Sequence, residues 1–280
     1  MRPLPRPQIS ARAVLELCAF SIRDADLSGR LTTALAGADA AEADYLMRGQ
    51  QGGLWALPKS AQFGQVSGQE MKRVYKDTFA KSAGTRVIYD QIKKLPANDI
   101  CPICGQRTVG TLDHYLSQSE FAALVVVPSN LLPSCADCNK AKLDAHAAHP
   151  EHQTLHPYFD NIDQDRWLVA DVLQTAPAAL RFWASPPPFW PQVTQRRTIN
   201  HFQKFGLGSL YGSHSAVELN NMRYALQRIA ERGSPEEVRA ELRLRYESSH
   251  AAQRNSWQTA MYEALMGSDW FCAGGFVTAQ

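Results

Sequence analysis

Apolar residues recur at helical spacing over several stretches of the chain, and this pattern predicts a mainly α-helical protein. The first stretch follows Ser10, a residue type that caps helix N-termini, and it ends near Ile22. A later helix is predicted to begin at Ser234, because Pro235 and Glu237 follow at positions that favour a first helical turn. The predicted helices cover residues 10–22, 27–47, 68–94, 234–250 and 253–266.

Other stretches lack this periodicity. Residues 1–9 contain three prolines and predict a loose tail, and residues 50–68 are rich in Gly, Gln and Ser and predict a loop. The segment 166–183 is apolar, and helix and strand both fit its pattern. Residues 185–191 (SPPPFWP) must be irregular, because proline fixes φ and lacks a backbone donor. Between residues 95 and 160 the segments are short and separated by turns, which is typical of a small module held together by a metal.

These patterns divide the 280 residues into three regions: an N-terminal helical region 1–95, a module 96–160 and a mostly helical C-terminal region 161–280. With 45% hydrophobic and 20% charged residues, the chain can bury a sizeable core. The chain contains no run of 18 or more apolar residues, so the sequence predicts no transmembrane helix. The first residues lack the apolar stretch of a secretory signal. We therefore expect a cytoplasmic protein that has no membrane partner.

One part of the predicted helix 68–94 is strongly basic. Between Glu70 and Lys94, seven Lys or Arg residues accompany three acidic residues, and Tyr75, Phe79 and Tyr89 lie among them. Such a segment can lie along a phosphate backbone. The alternative is an amphipathic helix whose basic face is simply solvated, and the net charge of +2 does not choose between the two. The candidate nucleic-acid contacts here are Lys72, Arg73 and Lys76.

The six cysteines fall into two groups. Cys101/Cys104 and Cys135/Cys138 form two C-x-x-C pairs, which together can complete a tetrahedral four-cysteine zinc site. Such a site is structural, because it leaves no open coordination position. In a chain without a secretion signal, this spacing favours a metal over disulfides. The alternative, two unrelated reduced thiol pairs, accounts poorly for both spacings. The cysteines expected to be isolated buried thiols are Cys18 and Cys272.

Thirty residues separate the two cysteine pairs, which is more than a minimal zinc ribbon needs. The spacer carries Asp113-His114 and Asn130, and Asn139 follows the last cysteine directly. The string CPIC…LDHYL…NLLPSCADCNKAK resembles the HNH endonucleases, which have a ββα-metal fold. The resemblance covers residues 101–142. It implies a mainly α protein with a small ββα-metal (HNH) module, stapled by a four-cysteine zinc site.

The resemblance also implies a function. The chain would be a metal-dependent endonuclease acting on DNA rather than RNA, leaving 5′-phosphate and 3′-hydroxyl ends. His114 would be the general base, since a neutral imidazole can accept a proton from water near pH 7. Asp113 and Asn139 would hold a catalytic Mg²⁺ or Mn²⁺ through their oxygens, and Asn130 would brace the loop that carries His114. The remaining candidates are Lys140 and Lys142 as phosphate contacts and His156 as a further metal ligand.

Two features of the motif bear on this reading. Strand alternation would point the adjacent Asp113 and His114 to opposite faces, so both can serve one site only if the strand ends or bulges there. In the family, the D-H-Y-L string is often followed by Pro-Lys-Ser, whereas this chain has Ser117-Gln118-Ser119. The missing lysine is a cation that could hold a phosphate. Its absence leaves the site intact but weakens the expected grip on the substrate.

The flanks bear a looser resemblance. The strings RVIYD at 86–90 and RxxxHFxxFxLxxLY at 197–211 are similar to nucleases paired with an ATPase in bacterial antiphage systems of the Septu and retron kinds. This implies a partner ATPase and a role in antiphage defence. A separate possibility is a subunit that is silent until a partner ATPase binds, which the near-neutral net charge favours over indiscriminate DNA binding. The rival interpretation is a non-catalytic zinc-ribbon module that binds nucleic acid or protein. That module needs the cysteines but not Asp113, His114 or Asn139.

Overall fold

The computed structural model describes residues 1–142 and 146–277. The chain forms two compact units, Met1–Asn161 and Ile162–Gln280, and the second is described up to residue 277. Their boundary adjoins the start predicted for the C-terminal region. The regions predicted separately as 1–95 and 96–160 share the first unit. Buried residues of both belong to one hydrophobic core, so residue 95 does not divide two compact units.

Three helices open the first unit. α1 (Ala11–Ser21) begins where predicted, because the Ser10 hydroxyl accepts a hydrogen bond from the Ala13 N–H at 3.2 Å. The single helix predicted over 27–47 is wrong in detail. The structure has two helices, α2 (Ala25–Thr33) and α3 (Leu35–Gln50), which meet at Ala34.

The N-terminal tail is docked rather than loose. The N–H groups of Arg2 and Leu4 donate to the carbonyls of Pro102 and Pro157, at 2.7 and 2.8 Å, and Met1 is buried. The prolines of the tail exclude a helix, but the residues between them keep their backbone donors. These donors pair with distant carbonyls, so the predicted loose tail is wrong.

The predicted loop 50–68 contains a short hairpin, β1 (Gln62–Phe63) and β2 (Val66–Ser67). A capping box follows, in which Ser67 and Glu70 each accept a hydrogen bond from the other's backbone N–H. Instead of one helix over 68–94, the chain forms three successive elements, so that prediction is wrong in its middle. They are α4 (Gly68–Arg73), a π-helical turn (Val74–Phe79) and α5 (Ala83–Lys93).

The core of the first unit brings these helices against a second hairpin. Strand β3 (Thr111–His114) pairs antiparallel with β4 (Leu131–Ser134), and α6 (Ala136–Lys142) follows β4 directly. Two antiparallel strands and a helix therefore succeed one another over residues 111–142. The largest fully buried side chains around them include Leu15, Leu31, Tyr45, Leu54, Phe79 and Phe121.

Up to residue 277, the second unit combines one hairpin with four helices and a terminal turn. The segment 166–183, for which helix and strand both fitted, forms strand rather than helix: β5 (Leu168–Leu173) and β6 (Ala179–Ala184) pair antiparallel along their whole length. Residues 185–191 are irregular, as predicted. Ser234 is the N-cap of the helix predicted there, although its side chain makes no capping hydrogen bond. The elements are β5 (Leu168–Leu173), β6 (Ala179–Ala184), α7 (Gln192–Lys204), α8 (Leu207–Ala230), α9 (Pro235–Ala252), α10 (Trp257–Gly267) and a π-helical turn (Phe271–Gly275).

Across the described residues, none of these helices has both the length and the apolar character needed to span a membrane.

Candidate metal centre and adjoining site

The four paired cysteines come together as predicted. The sulfur atoms of Cys101, Cys104, Cys135 and Cys138 lie within 4.8 Å of one another, and all four residues are buried. A tetrahedral zinc ion with bonds of about 2.3 Å needs sulfur atoms roughly 3.8 Å apart, so the cluster has the dimensions of such a site. Four buried thiolates also need a cation to offset their charge. These residues therefore form a cluster that could hold a metal such as zinc.

Each cysteine pair has one sulfur atom that faces the backbone N–H three residues further along the chain. In each pair a backbone N–H points at a sulfur atom at 3.4 Å: Arg107 N–H at Cys104 Sγ, and Cys138 N–H at Cys135 Sγ. These bonds orient the sulfur and offset part of its charge. The first pair turns tightly because Gly105 adopts a φ of +67°, which glycine tolerates at no steric cost.

A solvent-accessible ion pair links the segment of the first cysteine pair to the segment of the second. The Arg107 guanidinium lies 2.8 Å from the Asp137 carboxylate, which belongs to the first turn of α6. Both side chains are partly exposed, so the pair adds little stability. It nevertheless joins the segment before β3 to the helix after β4.

The two remaining cysteines are buried, as predicted, and neither belongs to the cluster. Burial raises the pKa of the Cys18 thiol to about 12. Burial likewise raises the pKa of Cys272. Both thiols therefore stay protonated at neutral pH and behave as small apolar side chains.

Strand β3 is held on its outer edge by two tyrosines. Leu112 lies opposite Pro133, which has no N–H, so Leu112 turns its own N–H and carbonyl away from β4. The Leu112 N–H donates to the Tyr89 hydroxyl at 3.3 Å, and the Tyr75 hydroxyl donates to the Leu112 carbonyl at 3.2 Å. Side chains from outside the hairpin thus satisfy an edge that would otherwise need another strand.

His114 occupies the last position of β3, so the strand ends there, which is one of the two conditions stated for the Asp113-His114 pair. Its Nε2 lies 2.9 Å from the carbonyl oxygen of Val125. Because a carbonyl can only accept, Nε2 must carry the proton, and in the neutral ring the lone pair is on Nδ1. The imidazole also packs against the ring of Tyr75, with centroids 4.5 Å apart.

Asn130 is fully buried and fastens the chain that follows His114. Its Oδ1 accepts from the Leu116 N–H at 2.8 Å, and its Nδ2 donates to the carbonyls of Leu116 and Leu124 at 3.0 and 3.1 Å. Its own carbonyl accepts from the Tyr115 N–H at 2.8 Å. These hydrogen bonds fit the expectation that Asn130 holds the loop next to His114 in place.

Asp113 meets the helix that follows β4. Its Oδ2 lies 3.6 Å from Lys142 Nζ, and Lys142 is buried rather than presented to solvent. Asn139 is half-buried and lies three residues before Lys142 on α6, so both belong to the same helix face. Lys140 is exposed. Lys142, expected to meet a substrate phosphate, is thus directed towards Asp113 instead.

His156, expected as a further metal ligand, belongs to an aromatic cluster instead. Its Nδ1 accepts from the Tyr158 N–H at 3.1 Å, and its Nε2 lies 3.0 Å from the Tyr45 hydroxyl. The ring also stacks near Tyr115, with centroids 4.3 Å apart. Both ring nitrogens are engaged and the residue is fully buried. The ligand prediction for His156 is therefore not supported, because the lone pair a metal would need is used in folding.

The basic stretch presents its charges outward and its aromatic rings inward. Arg73 and Lys76 are exposed and Lys72 is half-buried, whereas Tyr75 and Tyr89 cap β3. The sequence pattern had suggested that these rings lie in a segment that contacts nucleic acid. It did not indicate that they satisfy a strand edge, because nothing in the local pattern identifies the strand they meet.

The comparisons with known proteins give one distant relative. The chain is similar to Protein ea31 of Escherichia phage lambda, with 23% identity over 297 residues that include 98% of this chain and the whole of the relative. No protein-family model matches the chain, and no solved structure matches it. The similarity thus extends along both proteins from end to end, but the name of the relative specifies no activity.

Proposed function

We propose that the chain is a metal-dependent endonuclease of the HNH kind that hydrolyses phosphodiester bonds in DNA. The observation that carries the proposal is the setting of His114. This histidine ends a strand that also bears Asp113, its tautomer is fixed by a backbone carbonyl, and the next helix begins inside a four-cysteine cluster. A zinc ribbon that only binds has no need of a buried histidine with a fixed tautomer.

His114 is suited to act as general base. With the proton on Nε2, Nδ1 can take a proton from a water molecule that attacks phosphorus. The Val125 carbonyl then stabilises the positive charge that the ring acquires, since its oxygen faces the other N–H. The bond from phosphorus to the 3′-oxygen breaks and the leaving oxygen takes up a proton from solvent water, which leaves a 5′-phosphate and a 3′-hydroxyl.

Asp113 and Asn139 would hold the catalytic cation. A carboxylate and an amide oxygen are the kind of ligand that Mg²⁺ and Mn²⁺ prefer. The surroundings of Asp113 also favour a positive charge, because the Lys142 ammonium lies 3.6 Å from its Oδ2. This separation is longer than a hydrogen bond. When bound, the ion would supply charge neutralisation to the phosphate and the leaving oxygen.

Lys72, Arg73 and Lys76 would guide the DNA backbone towards this site. All three belong to the segment whose Tyr75 contacts His114. Lys140 is exposed on α6 and is a further phosphate contact. We expect charge removal at these positions to weaken DNA binding without reducing zinc content.

The experiment is nicking of supercoiled plasmid by the zinc-loaded protein with added Mg²⁺ or Mn²⁺. The variants are His114→Ala and, as the matched control, His149→Ala, because His149 is an exposed histidine outside the site. We expect His114→Ala to lose on the order of 10² to 10⁴ in rate, with unchanged zinc content, and the control to retain activity. If His114→Ala nicks as well as the parent, or if the parent is silent both alone and with the partner ATPase, a zinc-ribbon binding module is the better account.

A partner ATPase and a role in antiphage defence are further proposals of the same kind. They rest on the flanking strings alone. Nicking measured with and without the product of a neighbouring ATPase gene tests them, because a subunit that waits for its partner would cut only in the mixture.

A further inference from the structure

Tyr75 touches the chain on both sides of Asp113. Its hydroxyl donates to the carbonyl of Leu112, the residue before, and its ring packs edge-on against the imidazole of His114, the residue after, at an interplanar angle of 66°. Tyr75 comes from the helical segment 37 residues earlier in the chain, outside the hairpin and its following helix.

The local backbone explains how the ring reaches this position. α4 is fixed at its start by the capping box and by the Arg30–Glu70 ion pair at 2.7 Å. The next turn, Val74–Phe79, is π-helical, and it buries Val74 and Phe79 in the core. A π turn accommodates about one extra residue, which re-aims the side chains that follow, and such turns are frequent at functional sites.

The Tyr75 hydroxyl is a permanent donor in this setting. Burial, and then the nearby charges of Tyr89 and Asp113, raise the pKa of Tyr75 far above its usual value. The phenol therefore stays protonated at neutral pH and can donate to the Leu112 carbonyl. One end of the side chain is thus anchored on β3 while the ring limits the rotation of His114.

We propose that Tyr75 is a positioning residue for His114: its ring and the Val125 carbonyl hold the imidazole from two sides in the orientation that catalysis needs. The inference rests on the proposed function. A base must be held within a few tenths of an ångström of its productive position. Tyr75 supplies that constraint from the π-helical turn that also carries Lys76, directly after the α4 helix that carries Lys72.

The kinetic test uses Tyr75→Leu, Tyr75→Phe and, as the matched control, Tyr89→Phe, which removes the other tyrosine hydroxyl at Leu112. We expect Tyr75→Leu to lower kcat at least about tenfold with KM for plasmid unchanged, and Tyr75→Phe to recover most of this. Tyr89→Phe should lose no more in melting temperature than Tyr75→Phe and keep its kcat. In a His114→Ala background, Tyr75→Leu should cost nothing further. If Tyr75→Leu does not fold, Tyr75→Met replaces it.

A spectroscopic test does not depend on cleavage. In the full chain without added Mg²⁺ or Mn²⁺, the ¹⁵N signals of the His114 ring should report one Nε2–H tautomer, and the ring proton should carry the shift caused by Tyr75. We expect Tyr75→Leu to remove that shift and to give a mixture of the two tautomers. Tyr75→Phe should retain the shift and the single Nε2–H tautomer. A parent that never nicks DNA refutes the proposed function. A parent that needs His114 while Tyr75→Leu keeps its kcat or its ring signals refutes this inference alone.

Discussion

The ammonium group of Lys142 lies 3.6 Å from the carboxylate of Asp113, and both side chains are about nine-tenths buried, at 9% and 10% exposure. The same ammonium lies 3.5 Å from the Tyr115 carbonyl. A buried ion pair of this kind adds little net stability, but removing one member leaves a buried charge without compensation. Lys142 is therefore the counter-ion of the carboxylate that we propose as a metal ligand.

Replacing Lys142 by Met should make the protein depend on a divalent cation for stability. Without Mg²⁺, the loss of the Lys142 ammonium beside the buried Asp113 carboxylate should lower the free energy of unfolding by up to roughly 3–5 kcal/mol. Mg²⁺ should restore more stability to Lys142→Met than to the parent, because it replaces the lost positive charge. Thermal melting with and without Mg²⁺ measures this, with Lys140→Met, an exposed lysine on the same helix, as control. Equal Mg²⁺ responses in all three proteins would contradict a metal role for Asp113.

Changing Cys135 to Ser should remove zinc and loosen the first unit. A four-thiolate site contributes its binding energy to folding, so the loss of one sulfur lowers both zinc content and melting temperature. Cys18→Ala is the control, since Cys18 is buried but outside the cluster. Elemental analysis of the purified proteins should give about one zinc per chain for the parent and the control. The absence of zinc from the parent would contradict the structural zinc site.

Asn130 and His114 should separate stability from turnover. Asn130→Ala removes three buried hydrogen bonds and leaves their backbone partners unsatisfied. We expect it to lower the free energy of unfolding by roughly 2–4 kcal/mol. His114→Ala should cost much less stability while lowering the nicking rate by a factor on the order of 10² to 10⁴. Urea unfolding, run with half-buried Asn139→Ala as the control, decides the matter. An Asn130→Ala protein as stable as the parent would mean that the loop is held by other contacts.

Glu70 should stabilise the start of α4 in a pH-dependent way. Its hydrogen bonds to Arg30, and then those to Ser67, lower its pKa from 4.5 to about 2. A lowered pKa in the folded state means that the stabilisation is present above about pH 4.5 and disappears as the pH falls towards 2. Glu70→Gln should therefore melt below the parent at neutral pH and converge with it in acid. Glu16→Gln, at an exposed glutamate of α1, serves as the control. A gap between parent and Glu70→Gln that persists to pH 2 would point to packing rather than charge.

Spacing along the chain was enough to predict the parts of the protein that depend on near neighbours. Two C-x-x-C pairs are each a single turn, and their joint cluster follows from the chemistry of thiolates. Ser10 begins α1 because its cap is satisfied three residues away. The mainly helical character followed from apolar periodicity for the same reason.

Contacts between distant segments were decided only by the tertiary structure. Tyr75 meets Leu112 across 37 residues, His156 meets Tyr45 across 111, and no local pattern records either contact. His156 shows the consequence. Its residue type suits a metal, but both of its ring nitrogens are engaged in hydrogen bonds within the folded protein. Residue type and spacing fix what a side chain can do, whereas the partners that packing brings to it decide what it does.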